Sequence, residues 1–127
     1  MRYPVEPAYE TIVRQLYAAS PGAHAVTTRW TYTVPAGRFA VLEQAFVSVD
    51  LSATGALLAS VIFVATAAGT ELHRVLDVRS LTDRPLSDHA EPHLVLNAGE
   101  ILRAQTANTD AGVRAFLLSA QLIELPL

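Results

Sequence analysis

Val34-Pro35-Ala36-Gly37-Arg38-Phe39 closes one apolar run and opens the next, and Leu96-Asn97-Ala98-Gly99-Glu100-Ile101 does the same further along the chain. Both stretches read as tight corners. Glycine takes positive φ without a Cβ clash, Pro35 presets φ for a turn, and Asn97 tolerates turn geometry. Pro35, Gly37, Asn97 and Gly99 are therefore the turn-defining residues. Two such corners, each feeding a β-rich run, predict a two-sheet antiparallel domain with similarly built halves.

The flanking runs carry strand periodicity. In Arg29-Trp30-Thr31-Tyr32-Thr33-Val34 the residues Trp30, Tyr32 and Val34 share one face, opposite Arg29, Thr31 and Thr33. Arg38 to Asp50 reads as a long strand with a bulge near Glu43-Gln44. Phe39, Val41, Ala45, Val47 and Val49 share one parity there, and Leu42 and Phe46 the other. Apolar residues on both faces imply that one meets the core and the other meets a partner. Leu57 to Ala67 is a continuous apolar run whose β-branched centre predicts a strand buried on both sides. Further strands are expected over Glu71 to Arg79, Leu94 to Leu96, Glu100 to Ala107 and Val113 to Leu125. Leu81 to Pro92 is the longest loop, and Asn108 to Gly112 a hairpin loop.

Ahead of these, residues 6–19 read as a helix. Pro7 suits a first turn, Glu6 and Glu10 suit a helix N-terminus, and Ser20-Pro21-Gly22 ends it. Tyr9, Ile12, Val13, Leu16 and Tyr17 would share one helical face and could dock an arm on a neighbouring subunit. The fold class is thus all-β, a single antiparallel β-sandwich or jelly roll of about seven or eight strands. Residues 1–27 are expected to form an N-terminal arm with a short helix, and residues 28–127 the sandwich.

Composition points to assembly. Hydrophobic residues make up 51% of the 127, and charged residues 17%, against about 25% charged in typical globular chains. Mean hydropathy is +0.31. A small domain has too little interior to hide that much apolar surface, so a subunit interface is expected, with the chain as its own partner. Net charge is −3 and all nine basic residues are arginine, scattered singly, which argues against nucleic-acid binding. The absence of lysine excludes Schiff-base chemistry by this chain. The absence of cysteine excludes thiol catalysis, Cys-ligated zinc and disulfides. The longest apolar stretch falls short of a membrane span of about 20 residues, and the first residues lack a signal-peptide core, so neither membrane insertion nor export is expected.

No catalytic constellation stands out, and the chain is expected to be non-enzymatic and without a cofactor. Asp88-His89-Ala90-Glu91-Pro92-His93, joined by His73, contains metal-ligand types, and His73, His89, Glu91 and His93 form a weak candidate metal set. Pro92 makes that stretch a loop rather than a helix, and a solvated polar loop is the simpler reading. Ser87, Asp88 and His89 lack a nucleophile elbow. Trp30 and Tyr32 read as a core pair; the alternative is a carbohydrate- or receptor-binding module using them with the 81–93 loop. Arg103 and Arg114 are expected on outward faces as interface anchors, together with Leu42 and Phe46.

Tyr32-Thr33-Val34-Pro35-Ala36-Gly37-Arg38 and Leu94-Val95-Leu96-Asn97-Ala98-Gly99-Glu100-Ile101-Leu102 resemble a pattern in small tailed-bacteriophage virion proteins. There a "tVPAGk" strand opening precedes a "l.aGD.i" strand opening. Arg38 stands in place of the lysine and Glu100 in place of the aspartate. The likeness spans most of residues 28–125. It implies a β-sandwich accessory subunit of a virion assembled in the host cytoplasm, either a capsid decoration protein or a tail or head–tail component. Its partners would be a major capsid or tail protein and its own copies, often as a trimer. In some such proteins an N-terminal arm clasps a neighbour. No catalytic residue carries over.

Overall fold

A computed structural model describes residues 10–50, 52, 56–80 and 86–127. Among them the chain forms β1 (Thr11–Ala19), β2 (His24–Thr33), β3 (Arg38–Val49), β4 (Leu58–Ala65), β5 (Glu71–Ser80), β6 (Leu86–Ala90), β7 (Leu94–Leu96), β8 (Ile101–Asn108) and β9 (Phe116–Pro126). Sheet A has the order β1-β9-β3-β6, with β7 also on β3, and sheet B the order β2-β8-β4-β5. Every ladder is antiparallel. The chain changes sheet at each connection except β4 to β5 and β6 to β7. Because β6 and β7 share one edge of β3, eight strand positions result, and the order is that of a jelly roll.

The corners behave as their residues require. Gly37 and Gly99 have φ of +77° and +85°, where a Cβ would be strained. Arg38 N donates to Pro35 O at 3.3 Å and Glu100 N to Asn97 O at 3.0 Å, closing both turns. The two corners also lie side by side. Val34 N donates to Glu100 O and Gly99 N to Val34 O, each at 3.0 Å, which prolongs the β2–β8 ladder into both turns.

Alternation fills the space between the sheets. Trp30 and Tyr32 from β2, and Val34 just after it, share one core cluster with Phe116, Leu118 and Leu122 from β9. In β3 the register slips between Leu42 and Gln44, the bulge expected near Glu43-Gln44. One extra residue reverses the parity of every position beyond it. Ala40 and Leu42 before it, and Ala45, Val47 and Val49 after it, all face the core. Leu42 is 0% exposed, which corrects its expected place at an interface; the bulge parts it from Phe46, which faces outward.

β4 is buried at all eight positions. Leu58, Ile62 and Val64 belong to the main core, while Val61, Phe63 and Ala65 form a second cluster with Ile101 on the outer side of sheet B. Their cross-strand neighbours include Arg103, Gln105 and Arg74, long side chains whose carbon stems cover apolar surface.

The helix expected over 6–19 is corrected within the described residues: Thr11–Ala19 is a strand, paired at all nine positions from Thr11↔Glu124 to Ala19↔Phe116. Propensity for either state is weak here, and a complete ladder on β9 outweighs it. Tyr9 and the rest of 1–9 lie outside the described residues. Val13 and Tyr17 point inward, and the Arg29 guanidinium stands 4.7 Å from the Tyr17 ring centroid, joining β1 to β2.

Leu42→Ala should destabilise the chain by about 2–5 kcal/mol in urea unfolding, the usual cost of a core cavity. A loss below about 1 kcal/mol would contradict its place in the core.

Candidate functional site on the outer face of sheet A

In an antiparallel sheet with one wet face, outward residues are normally polar. Sheet A departs from this. Outward on β3 stand Phe39, Val41, Gln44, Phe46 and Ser48, and outward on β9 stand Leu117, Ser119, Gln121, Ile123 and Leu125. None is charged. Glu43, at the bulge, is also outward and lies within hydrogen-bond distance of His93 Nδ1, at 2.8 Å.

The ladders align these residues in rows across the sheet. Ile12, Ile123, Val41 and Val95 form one row. Arg14, Gln121 and Gln44 form the next; Glu91, one residue past Ala90, which pairs with Ala45, lies toward its far end and lines the same depression as Arg14. Leu16, Ser119, Phe46 and His89 form the third. Ile12, Leu16 and Val95 are 53%, 66% and 51% exposed, so the apolar surface reaches both edges. Between the edges lies a shallow depression of about 570 Å³, lined by Leu16, Gln44, Phe46, His89, Ser119 and Gln121 among others. Apolar rows flanking a row of glutamines, with charges at the margins, match the mixed apolar and polar anatomy of a protein–protein interface.

The weak candidate metal set does not converge. His73 lies on β5 in sheet B, His89 on β6, and Glu91 and His93 in the kink. Among the described residues no three His, Asp or Glu side chains gather to hold an ion. His93 has φ +47°, a left-handed conformation that turns the chain between β6 and β7. The kink sits opposite the β3 bulge, and the Glu43–His93 contact ties the two irregularities together.

Trp30 and Tyr32 are buried at 8% and 7% exposure, which removes them as a sugar-stacking platform. Trp30 Nε1 donates to Leu118 O at 3.1 Å. The Tyr32 hydroxyl donates to Glu124, whose carboxylate pairs with Arg38 Nε at 3.2 Å, while Arg38 Nη2 donates to Glu124 O at 3.1 Å. This buried set closes the corner end of the sandwich, where Leu127 N also bonds Gly37 O at 3.0 Å. Sequence reasoning missed it, because only the fold brings Glu124 beneath Tyr32. Inward placement of an acid at the end of β9's alternation was the available signal.

The two arginines expected at interfaces are placed differently. Arg103 faces outward on sheet B and donates to Thr31 Oγ1 at 3.2 Å. Arg114 is turned onto the β8–β9 loop, where its Nε donates to the buried Asp110 at 3.1 Å. The Gly112 N–H, and then Arg114, hold the Asp110 carboxyl below the usual range.

No protein-family model matches the chain, and no curated protein does. Among solved structures, a protein of Bacillus endospore appendages, described as disulfide-linked pili, aligns with 93% of this chain and 90% of its own at 13% identity and a TM-score of 0.46. A structure of infectious bursal disease virus, Gx strain, aligns over 93% of this chain at 12% identity and a TM-score of 0.44; the chain covers 32% of that protein's length. Desmodium yellow mottle tymovirus aligns over 100% of this chain and 94% of its own at 12% identity and 0.37.

Burial first, and the hydrogen bond to Glu124 second, push the Tyr32 hydroxyl well above the usual tyrosine range. Neutral Tyr32 is thus favoured in the folded state, so its contribution is intact below about pH 10 and falls as pH rises beyond it. Tyr32→Phe should cost about 1–3 kcal/mol at pH 7, because Glu124 stays buried with one donor fewer. The same variant should lose less stability than wild type between pH 10 and 11.5, measured by urea unfolding; equal slopes would contradict the assignment.

Proposed function

We propose that the chain is a non-enzymatic structural subunit of a tailed-bacteriophage virion. It would associate with copies of itself and with a major capsid or tail protein, as a decoration or stabilising component of the particle. The observation that carries this reading is the outer face of β3 and β9, where Phe39, Val41, Phe46, Leu117, Ile123 and Leu125 are apolar and Glu43 alone is charged. Such a face costs solubility in an isolated monomer and favours burial against protein. The corner sequences 32–38 and 94–102, with their likeness to small virion proteins, supply the class of particle. The compositional surplus of apolar residues supports it independently.

Area alone does not set affinity, since association first offsets lost freedom and side-chain ordering. Charge placed in the centre of the face is therefore a sharper test than trimming it. Wild-type chain should sediment as a multiple of 13.7 kDa. Ile123→Glu should weaken self-association about tenfold or more while changing fold stability by no more than about 1 kcal/mol, because its side chain points out of the core. A wild-type monomer at every concentration, or a variant that associates as well as wild type, would overturn the reading. The trimer implied by the resemblance and a two-fold dimer differ in mass, so the same measurement separates them.

A further inference from the structure

The margins of sheet A carry opposite charges at the same level of the sheet. Arg14 on β1 ends one row, and Glu91, the residue after Ala90 of β6, stands at the opposite margin, three strand spacings of about 4.8 Å each away. Arg14 Nε donates to Gln121 at 3.1 Å. Among the described residues neither Arg14 nor Glu91 has an ion-pair partner. Both line the depression.

We propose that two copies of this chain pack sheet A on sheet A about a two-fold axis that lies in the interface and runs along the strands. That operation exchanges the β1 margin with the β6–β7 margin and preserves the level along the strands. Each Arg14 then meets the partner's Glu91, twice per dimer. In the neighbouring rows Ile12 meets the partner's Val95, and Leu16, the most exposed apolar side chain of the face, drops toward the partner's His89 and the depression beside it. The other in-plane axis, running across the strands, sets Arg14 on Arg14 and Glu91 on Glu91. Like charges brought together strongly disfavour an interface, so charge selects the first axis. The contact is isologous and closes at two copies.

The size of the face fits. Four strands about 4.8 Å apart and nine residues of about 3.3 Å rise span roughly 600 Å² per copy. About 1,200 Å² in total is the lower end of specific, stable interfaces. Sheets packed in this way keep their strands aligned within about 30°, which leaves the paired margins in reach of each other.

This pairing rests on the self-association proposed above, and the test separates the two. Sedimentation of the full chain should give twice 13.7 kDa for wild type. Arg14→Glu alone and Glu91→Arg alone should each shift toward monomer, with dissociation constants raised about tenfold or more. An equimolar mixture of the two variants should recover the dimer as a heterodimer, since both contacts become complementary again. That rescue also shows that both variants are folded. A wild-type monomer would overturn the self-association and the pairing together. A wild-type oligomer insensitive to either variant, or single-variant losses without rescue in the mixture, would overturn the pairing alone.

Discussion

The extra residue in β3 is the constraint on which the rest of sheet A depends. With Glu43 opposite no partner of its own, Leu42 and Ala45 both point inward although three residues apart. A strand of strict period two would have turned Ala45, Val47 and Val49 to solvent and Phe46 into the core. The kink at 91–93 answers the bulge on the other side of β3, and the Glu43–His93 contact joins them. The outcome is one dry face against sheet B and one face left outward in which apolar side chains alternate with glutamine and serine.

Sheet B is held by different means. Its strand β4 is buried on both sides, inside by the main core and outside in a cluster of Val61, Phe63, Ala65 and Ile101, with Arg74, Arg103 and Gln105 as cross-strand neighbours. On β5, Arg74 pairs with Glu71 and Asp77, and Arg79 pairs with Asp77. Such exposed pairs add little stability each, yet they leave the margin of sheet B charged and hydrated. The two outer faces of the sandwich therefore differ in kind, which is why an assembly surface is assigned to one of them.

Much of this was legible in the residues. The corners at 34–39 and 96–101, the alternation of β2, the double burial of β4 and the slip at Glu43-Gln44 all come from glycine stereochemistry and apolar period. The strand β1 was not legible. Ile12, Val13, Leu16 and Tyr17 satisfy a helical face as well as an alternating one, and the decision came from a ladder on β9 more than 90 residues away. The outer face is half legible: Phe46 reads as outward, but by simple counting it shares its parity with Leu42, because parity across a bulge cannot be carried by counting. The Tyr32–Glu124–Arg38 set needed three separate strands to be brought to one end of the sandwich, which no local spacing records.

The central claim is that the outer face of sheet A is covered by protein when the chain assembles. Hydroxyl-radical footprinting of the intact chain over a concentration series reads this at the side chains concerned. Oxidation of Leu16 and Phe46 should fall as copies associate, while Leu72 and Val113, exposed elsewhere at 53% and 60%, remain equally reactive. Unchanged reactivity of Leu16 and Phe46 in the associated state, or protection of Leu72 and Val113 in their place, would contradict it.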